Sequence, residues 1–407
     1  MSALPTFPAS RPGRFWGLLF LAALITGVGL LAAHQMEISG HIITGMNNHV
    51  VWGTPHVFAV FMIVAASGAL NVASIGSVFG KPMYKARAPL SALLCAALLA
   101  GGLMVLMLDL GRPERVIVAA THYNFHSVFA WNVFLYSGMF ALVAIYLWTL
   151  FEKRMAPWSR RAGLAAFVWR FVLTTGTGSI FGFLVARQAY QSAVLAPLFI
   201  VMSFAWGLAV FILAQGAMLR LAGAVLDHDV HRRLRDLLAT FIVASLYMVM
   251  VYHLTNLYFA RQGAFERFML LEGGIYTAMF WLGYVVVGTV VPLALLFRPG
   301  FGGRNAAAWA SAAVVIGALA FLYAFIIGGQ AYPLQLFPGY EVTSSFMDGQ
   351  IAPYSPSMPE LLLGIGGMGA ALLITLVGAR LFNMLPADAR RPETPSDIAA
   401  GETAGEP

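Results

Sequence analysis

The run from Ser127 to Phe151, SVFAWNVFLYSGMFALVAIYLWTLF, holds no charged side chain. A bilayer core is crossed by about 20 mainly apolar residues in a helix. A helix on the surface of a soluble protein would show a polar stripe with a 3.6-residue period, and this run has none. Nine further segments meet the same standard, approximately 15–35, 51–79, 88–110, 162–188, 193–219, 235–258, 274–297, 305–328 and 358–384. Membrane barrel strands would instead alternate in segments of about ten residues, a pattern absent from the chain. The sequence predicts an all-α polytopic membrane protein with about ten transmembrane helices.

Composition agrees. Of 407 residues, 60% are hydrophobic and 10% are charged, against about 25% charged in a soluble protein. A soluble enzyme, a nucleic-acid binder and a secreted disulfide scaffold are excluded. A single cysteine, Cys95, provides neither a disulfide nor a Cys-ligated cluster nor a zinc site. The net charge of +7 then needs a cause other than nucleic acid. With the N-terminus inside, 18 of the 24 Lys and Arg fall on inner segments: Arg11 and Arg14, Lys81 to Arg87, Lys153 to Arg161, Arg220 to Arg235, Arg298 and Arg304, and Arg380 to Arg391. Arg112, Arg115, Arg187, Arg261 and Arg267 lie outside, and Arg170 lies within the fifth helix, where it reads as snorkelling to the inner surface. The bias places both termini in the cytoplasm. Arg11 and Arg14 before an apolar run resemble a signal peptide, but the run exceeds the usual h-region and reads as a retained helix. The sequence thus divides into an N-terminal tail (1–14), a transmembrane domain (15–384) and a disordered tail (385–407) rich in Pro, Ala, Glu and Thr.

On this topology seven of nine histidines (34, 41, 49, 56, 122, 126 and 253) gather at the outer face. Histidine exchanges protons near neutral pH, so a proton-coupled reaction on that face is expected. His34 and His41 read as solvated loop residues. Thr54 and Pro55 read as N-cap and first position of the second helix, with His56 in its first turn beside Trp52. A start nearer Asn48 would instead align Asn48, Trp52 and His56 on one face. Either start sets a hydrogen-bonding histidine against a flat aromatic wall, as a quinone head group requires. The third helix ends in Leu108-Asp109-Leu110-Gly111-Arg112-Pro113, a helix stop that leaves Asp109 unexplained. Intramembrane acids pair with a base or serve a proton path, and Arg112 is the expected partner. After His122, the residues Asn124, Ser127 and Trp131 share a helical face. They are expected to line one pocket with Trp52 and His56, between helices two, three and four.

These motifs resemble the NrfD/polysulfide-reductase family of membrane subunits. The likeness is carried by Leu108 to Pro113, by Asn124, Ser127 and Trp131, by Trp52-Gly53, and by Gly328-Gly329-Gln330-Ala331-Tyr332-Pro333. The ten-helix length resembles its HybB-like branch, and within it the DsrP-type subunits of sulfur-metabolism membrane complexes. The resemblance implies two four-helix bundles with flanking helices in a bacterial inner membrane. It also implies a quinone or quinol site near the outer face, no haem or iron–sulfur cluster in this chain, and a periplasmic ferredoxin-like iron–sulfur partner. Cytochrome subunits of c and b type and a heterodisulfide-reductase-like cytoplasmic subunit would complete such a complex. Carried over, the site residues are His56, Asp109, Arg112, Asn124, Ser127 and Trp131. Many relatives have an acid a turn into the second helix, where this chain has Ala59 and Phe61, and Gly in place of Asn132; His56 is then expected to substitute for the acid.

Two other readings use the same residues. Haem b needs two facing histidines, for which His56, His126 and His253 are the candidates. A transporter or proton pump would run past Asn71, Arg170, Thr174, Thr175, Thr177, Gln215 and Asn256. The sequence shows neither an inverted repeat nor paired broken helices.

Overall fold

The computed structural model describes residues 12–297, 305–334, 340, 343–344, 348–382 and 384. Ten helices long and apolar enough to cross a membrane run through them. They are α1 (Pro12–Ser39), α2 (Thr54–Ser77), α3 (Ala88–Leu108), α4 (Val128–Phe151), α5 (Lys153–Gly182), α6 (Leu195–Ala222), α7 (His228–Tyr258), α8 (Ile275–Phe297), α9 (Ala306–Ala331) and α10 (Met358–Leu381). Each overlaps a segment expected from hydropathy, because lipid requires apolar length before any partner is specified. The tail 385–407, residues 1–11, and Arg298, Arg304, Arg390 and Arg391 of the charge argument lie outside the described residues.

Three ends differ from expectation by six residues or more, the first being the start of α5 at Lys153 rather than 162. Helix α5 stops at Gly182 rather than 188, and the chain folds back so that Arg187 donates to the carbonyls of Gln330 and His49, both at 2.8 Å. A guanidinium so placed needs acceptors, and the turn supplies them. Helix α7 starts at His228 rather than 235, in a charged first stretch where Arg232 pairs with Asp229 and Arg235 with Asp236.

Helices α2 to α5 pack as one four-helix bundle and α6 to α9 as a second, with α10 packed on α2 and α3 and α1 lying outside it along α10. The seam between bundles is α2 and α5 against α6, and in it Gly68 lies against Ser203 and Gly207 so closely that a Cβ on Gly68 would overlap the Ser203 carbonyl. Helix α1 runs along α10, where a Cβ on Gly29 would stand 2.6 Å from the Gly366 Cα. Lipid is as apolar as leucine, so close backbone approach and dispersion hold such helices together. In the second bundle α8 is π-helical over Met279–Val290 and α9 over Tyr323–Gly328.

Arg170 does not snorkel. It is 2% exposed, and its guanidinium carbon lies 4.9, 4.2 and 5.3 Å from the ring centres of Phe167, Phe171 and Phe204. The α-helical part of α5 starts at Ser159, which puts residue 170 about 16 Å along the axis, too deep for the side chain to reach water. Cation–π contacts substitute for a counter-ion there.

Candidate functional site at the histidine-rich end of the first bundle

The end of the bundle away from the basic inner segments is built by helix termini. Pro55 lies in the first turn of α2, where its missing N–H costs nothing. Gly53, not Thr54, is the N-cap, and the Thr54 hydroxyl is 2.8 Å from Tyr354 Oη. Residues 48–53 are not helical, so Asn48 and Trp52 do not share a helix face with His56. Trp52 nevertheless stacks on the His56 ring, with centroids 6.1 Å apart and planes inclined by 27°.

Gln330 explains how a non-helical tryptophan is held. Its Oε1 accepts from the N–H groups of Val51 and Trp52, both at 3.0 Å, and its Nε2 donates to the carbonyls of Trp52 and Ile326 at 3.0 and 2.9 Å. All four hydrogen-bonding positions of a buried amide are used. The Gly-Gly-Gln motif at the end of α9 is therefore a clamp on the Trp52 backbone, and Gly329 leaves room for the Tyr190 ring beside it.

Asp109 is the C-cap of α3, and its side chain is 1% exposed. Two histidines converge on it. His56 Nδ1 is 2.9 Å from Oδ2, and His41 Nε2 is 3.8 Å from Oδ1 and 3.1 Å from the Asp109 carbonyl oxygen. The His56 contact is close but off the line of the ring N–H, so it is a polar contact rather than a well-directed hydrogen bond. Gly111, with φ of +68°, turns the chain back under the His41 ring, and its missing Cβ would stand 3.1 Å from that ring. Burial alone would push the Asp109 carboxyl up, but the close approach of His41 and His56 outweighs it and holds the carboxyl below its usual range. The hydrogen bond to Asp109 likewise raises His41, against the opposing effect of burial.

A further carboxylate braces the same corner. Ser357 and Glu360 form a capping box on α10. Glu360 also accepts from Gly45 N–H at 2.8 Å and from Tyr354 O–H at 2.7 Å, and Tyr354 in turn accepts from Thr54 N–H at 2.7 Å. Buried Glu360 thus ties α10 to the loop carrying His41 and to the start of α2.

Of the residues predicted for the site, Trp52, His56 and Asp109 come together. Arg112 does not pair with Asp109; it is exposed, because the turn at Gly111 directs the chain away while His41 and His56 fill the space around the carboxylate. His122 is exposed beside Thr121, at 3.0 Å from its hydroxyl. Asn124 caps its own turn by accepting from His126 N–H, and Trp131 donates to the Phe125 carbonyl and is 49% exposed. Ser127 is the N-cap of α4 without a side-chain cap bond. This turn meets Trp52 through the Phe129 ring at 6.2 Å. The open space beside the triad lies instead toward α1, a cavity of about 100 Å³ lined by Leu30, His34, Glu37, His41, Leu108 and Pro113. His41, expected to be solvated, lies between this cavity and Asp109. The haem candidates do not converge: His56 is engaged by Asp109, His253 by Glu266, and His126 is exposed at the head of α4.

No local pattern marks Gln330 as a clamp, nor Tyr354 or Glu266 as site residues. Glu360 has one, the Ser-x-x-Glu spacing before an apolar run.

Residues 43–333 match the family described as polysulphide reductase, NrfD. The chain is 30% identical, over 92% of its length and 94% of the relative, to the Hdr-like menaquinol oxidoreductase integral membrane subunit of Archaeoglobus fulgidus. It is 21% identical to a subunit of the selenate reductase of Mesobacillus selenatarsenatis, over 88% of this protein and 92% of the relative. It is 24% identical to the protein NrfD of Escherichia coli, over 69% of this protein and 95% of the relative. The matched family span leaves α1, His41 and α10 outside it. The chain belongs to the NrfD family, as a multi-pass protein of a bacterial or archaeal cytoplasmic membrane.

Proposed function

We propose that this chain is the quinone-interacting membrane subunit of an oxidoreductase complex, working at the outer face with the His41–Asp109–His56 triad as its proton-handling group. The observation that carries the reading is a buried carboxylate flanked by two histidines at the rim of an open cavity. Its relatives include a menaquinol oxidoreductase subunit and a selenate reductase subunit, which supports a quinone-linked role.

Quinol oxidation releases two electrons and two protons. His41 lines the cavity, and with Nε2 directed at Asp109 its Nδ1 is the ring nitrogen left for a ligand hydroxyl. Asp109 stabilises the imidazolium that forms, as a carboxylate behind a general-base histidine does. His56, stacked under Trp52, takes the charge of the carboxylate from the other side. Leu30, Leu108 and Pro113 offer the apolar wall for a ring. Glu37 and His34 on α1 stand at the cavity with exposed side chains, where a proton reaches water.

The one cysteine cannot hold a cluster, so the electrons pass to another subunit. The partner fitting this role is a ferredoxin-like iron–sulfur protein on the outer face. The Hdr-like relative favours a heterodisulfide-reductase-like subunit in the same complex, with cytochrome subunits as the further candidates. Menaquinone is the favoured quinone, on the name of that relative.

Photolabelling of the protein in membranes with an azidoquinone tests the placement. The expected adducts fall on 30–41 and 108–113. Adducts confined to Trp52, Phe129 and Trp131 would keep the quinone reading and move the pocket to the α4 side. Absence of saturable labelling would sink the quinone reading itself.

A further inference from the structure

The second bundle holds a histidine–carboxylate pair that the quinone site does not use. Glu266, in the short helix Gly263–Arg267, is fully buried, although it lies between the exposed Arg261 and Arg267 in sequence. Its Oε2 is 2.6 Å from His253 Nδ1, and its Oε1 accepts from Asn256 Nδ2 at 2.7 Å. Residues 253 and 256 are one turn apart on α7, so that a single helix face grips both carboxyl oxygens. Among the described residues the only ion-pair partner of Glu266 is His253. Arg267 pairs with Glu272, at 2.6 Å.

The other ring nitrogen, His253 Nε2, is buried and has no hydrogen-bond partner among the described residues. It belongs to an aromatic cage of about 10 Å³, with Phe280 edge-on at 4.8 Å and Phe321 and Phe325 of α9 on the far side. That space is about what one water needs. The groups around the pair from every packed element are Tyr252 and Asn256 on α7, Phe265 and Met269 beside Glu266, Phe280 on α8, and Phe321 and Phe325 on α9. Tyr252 is the one other titratable group in the cage, and its hydroxyl donates to the Ala189 carbonyl. None of these supplies a positive charge.

We infer that His253 and Glu266 form a second proton-binding site, in which the proton exchanged is the one on His253 Nε2. The bond to Glu266 occupies Nδ1 in every protonation state, so only Nε2 is left to gain or lose a proton. With a proton on Nε2 the pair is electrically neutral, but an N–H donor points into an aromatic cage whose lining side chains offer it no acceptor. With Nε2 bare the donor is gone, but the carboxylate charge is buried without a cation. The two costs oppose each other, so neither state is locked. A wholly structural pair would have its second nitrogen satisfied or exposed. The cage also explains where a change of state is felt. Phe325 belongs to the π-helical stretch Tyr323–Gly328, which leads directly to Gln330 and its clamp on Trp52.

The test is solid-state NMR of the full protein in lipid, labelled with 15N-histidine, which separates N–H from bare imidazole nitrogen. The His253 signal is assigned by its loss in His253→Gln, or, if that variant fails to fold, by its contact with 13C-labelled Glu266. The expected result is interconversion of Nε2 between the two forms as pH is varied over the range in which the protein stays folded. In Glu266→Gln the midpoint should move to lower pH by at least tenfold in proton concentration, and in Asp109→Asn it should not move. Nε2 fixed in one form throughout, or a midpoint that ignores Glu266→Gln, would overturn the proposal.

Discussion

The two bundles each hold a histidine against a carboxylate near the outer end, but the two pairs are built differently. In the first, His41, His56 and Asp109 come from three separate stretches of sequence, and the side chains of His41 and His56 are 30% and 16% exposed around a buried acid. A cavity of about 100 Å³ opens beside them. In the second, His253, Asn256 and Glu266 lie within fourteen residues, the acid is fully buried, and the adjoining space is about 10 Å³. The contacts follow the same division. The His56–Asp109 approach is off-line, whereas both oxygens of Glu266 have directed partners. A site that exchanges with a ligand has to leave capacity unused, and the first pair does so on its open side. The second is closed to anything larger than water.

Variants can break this comparison. The largest effect is expected from His56→Ala combined with Asp109→Asn, which should lower quinol-linked reduction of the redox partner by at least about 100-fold. Membrane insertion, followed by protease accessibility of the loops, should be intact. Unchanged turnover would remove the triad from the mechanism. The second pair should respond in stability instead. Glu266→Ala strands His253 and Asn256 and should cost about 3–5 kcal/mol, read as a lower midpoint of thermal unfolding in detergent. The comparison fails if Asp109→Asn lowers that midpoint more than Glu266→Ala does.

The smallest effect is on pH dependence. His41 is raised by Asp109, so its imidazolium persists to higher pH than that of a free histidine. The base form appears only as pH rises through that raised value. The acid limb of the rate profile for quinol oxidation should therefore lie above the ordinary histidine range. Asp109→Asn removes the charge that favours the imidazolium, and the limb of the residual activity should move to lower pH. The stabilisation has matching limits: it is lost on the acid side as the depressed Asp109 protonates, and on the alkaline side as His41 deprotonates. An acid limb identical in both proteins would detach His41 from Asp109.

How much of this was legible in the sequence follows from which forces act locally. Helix spans were, because hydrocarbon thickness demands a length of apolar residues that can be counted. Of the two starts the sequence left open for α2, the one set by Pro55 holds to within one residue, since proline suits the first turn of a helix. His56 and Asp109 stood out as titratable groups in apolar surroundings, but their pairing did not. Arg112 is three residues from Asp109 and looked like its partner, whereas the partners are 53 and 68 residues away. Glu266, between two arginines, carries no mark of burial in the sequence. Its burial depends on how the short helix after α7 folds back onto that helix, which no local pattern records. On the α4 side the turn satisfies its own polar groups through Asn124 and the Trp131 indole, and the cavity beside Asp109 opens toward α1, which no local pattern records either.

The sequence by itself determined what the solvent decides: an all-α membrane protein of ten apolar helices, a basic side, an opposite side rich in histidine, and no means of binding a cluster through cysteine. Apolar length and charge bias act on each segment separately, so they can be read segment by segment. Only the tertiary structure decided which histidine meets which acid, that Gln330 holds Trp52, and that one pair is open while the other is sealed. Those outcomes depend on distances between residues far apart in the sequence, and they are set by glycine-lined helix crossings and by turns at Gly111 and after Gly182.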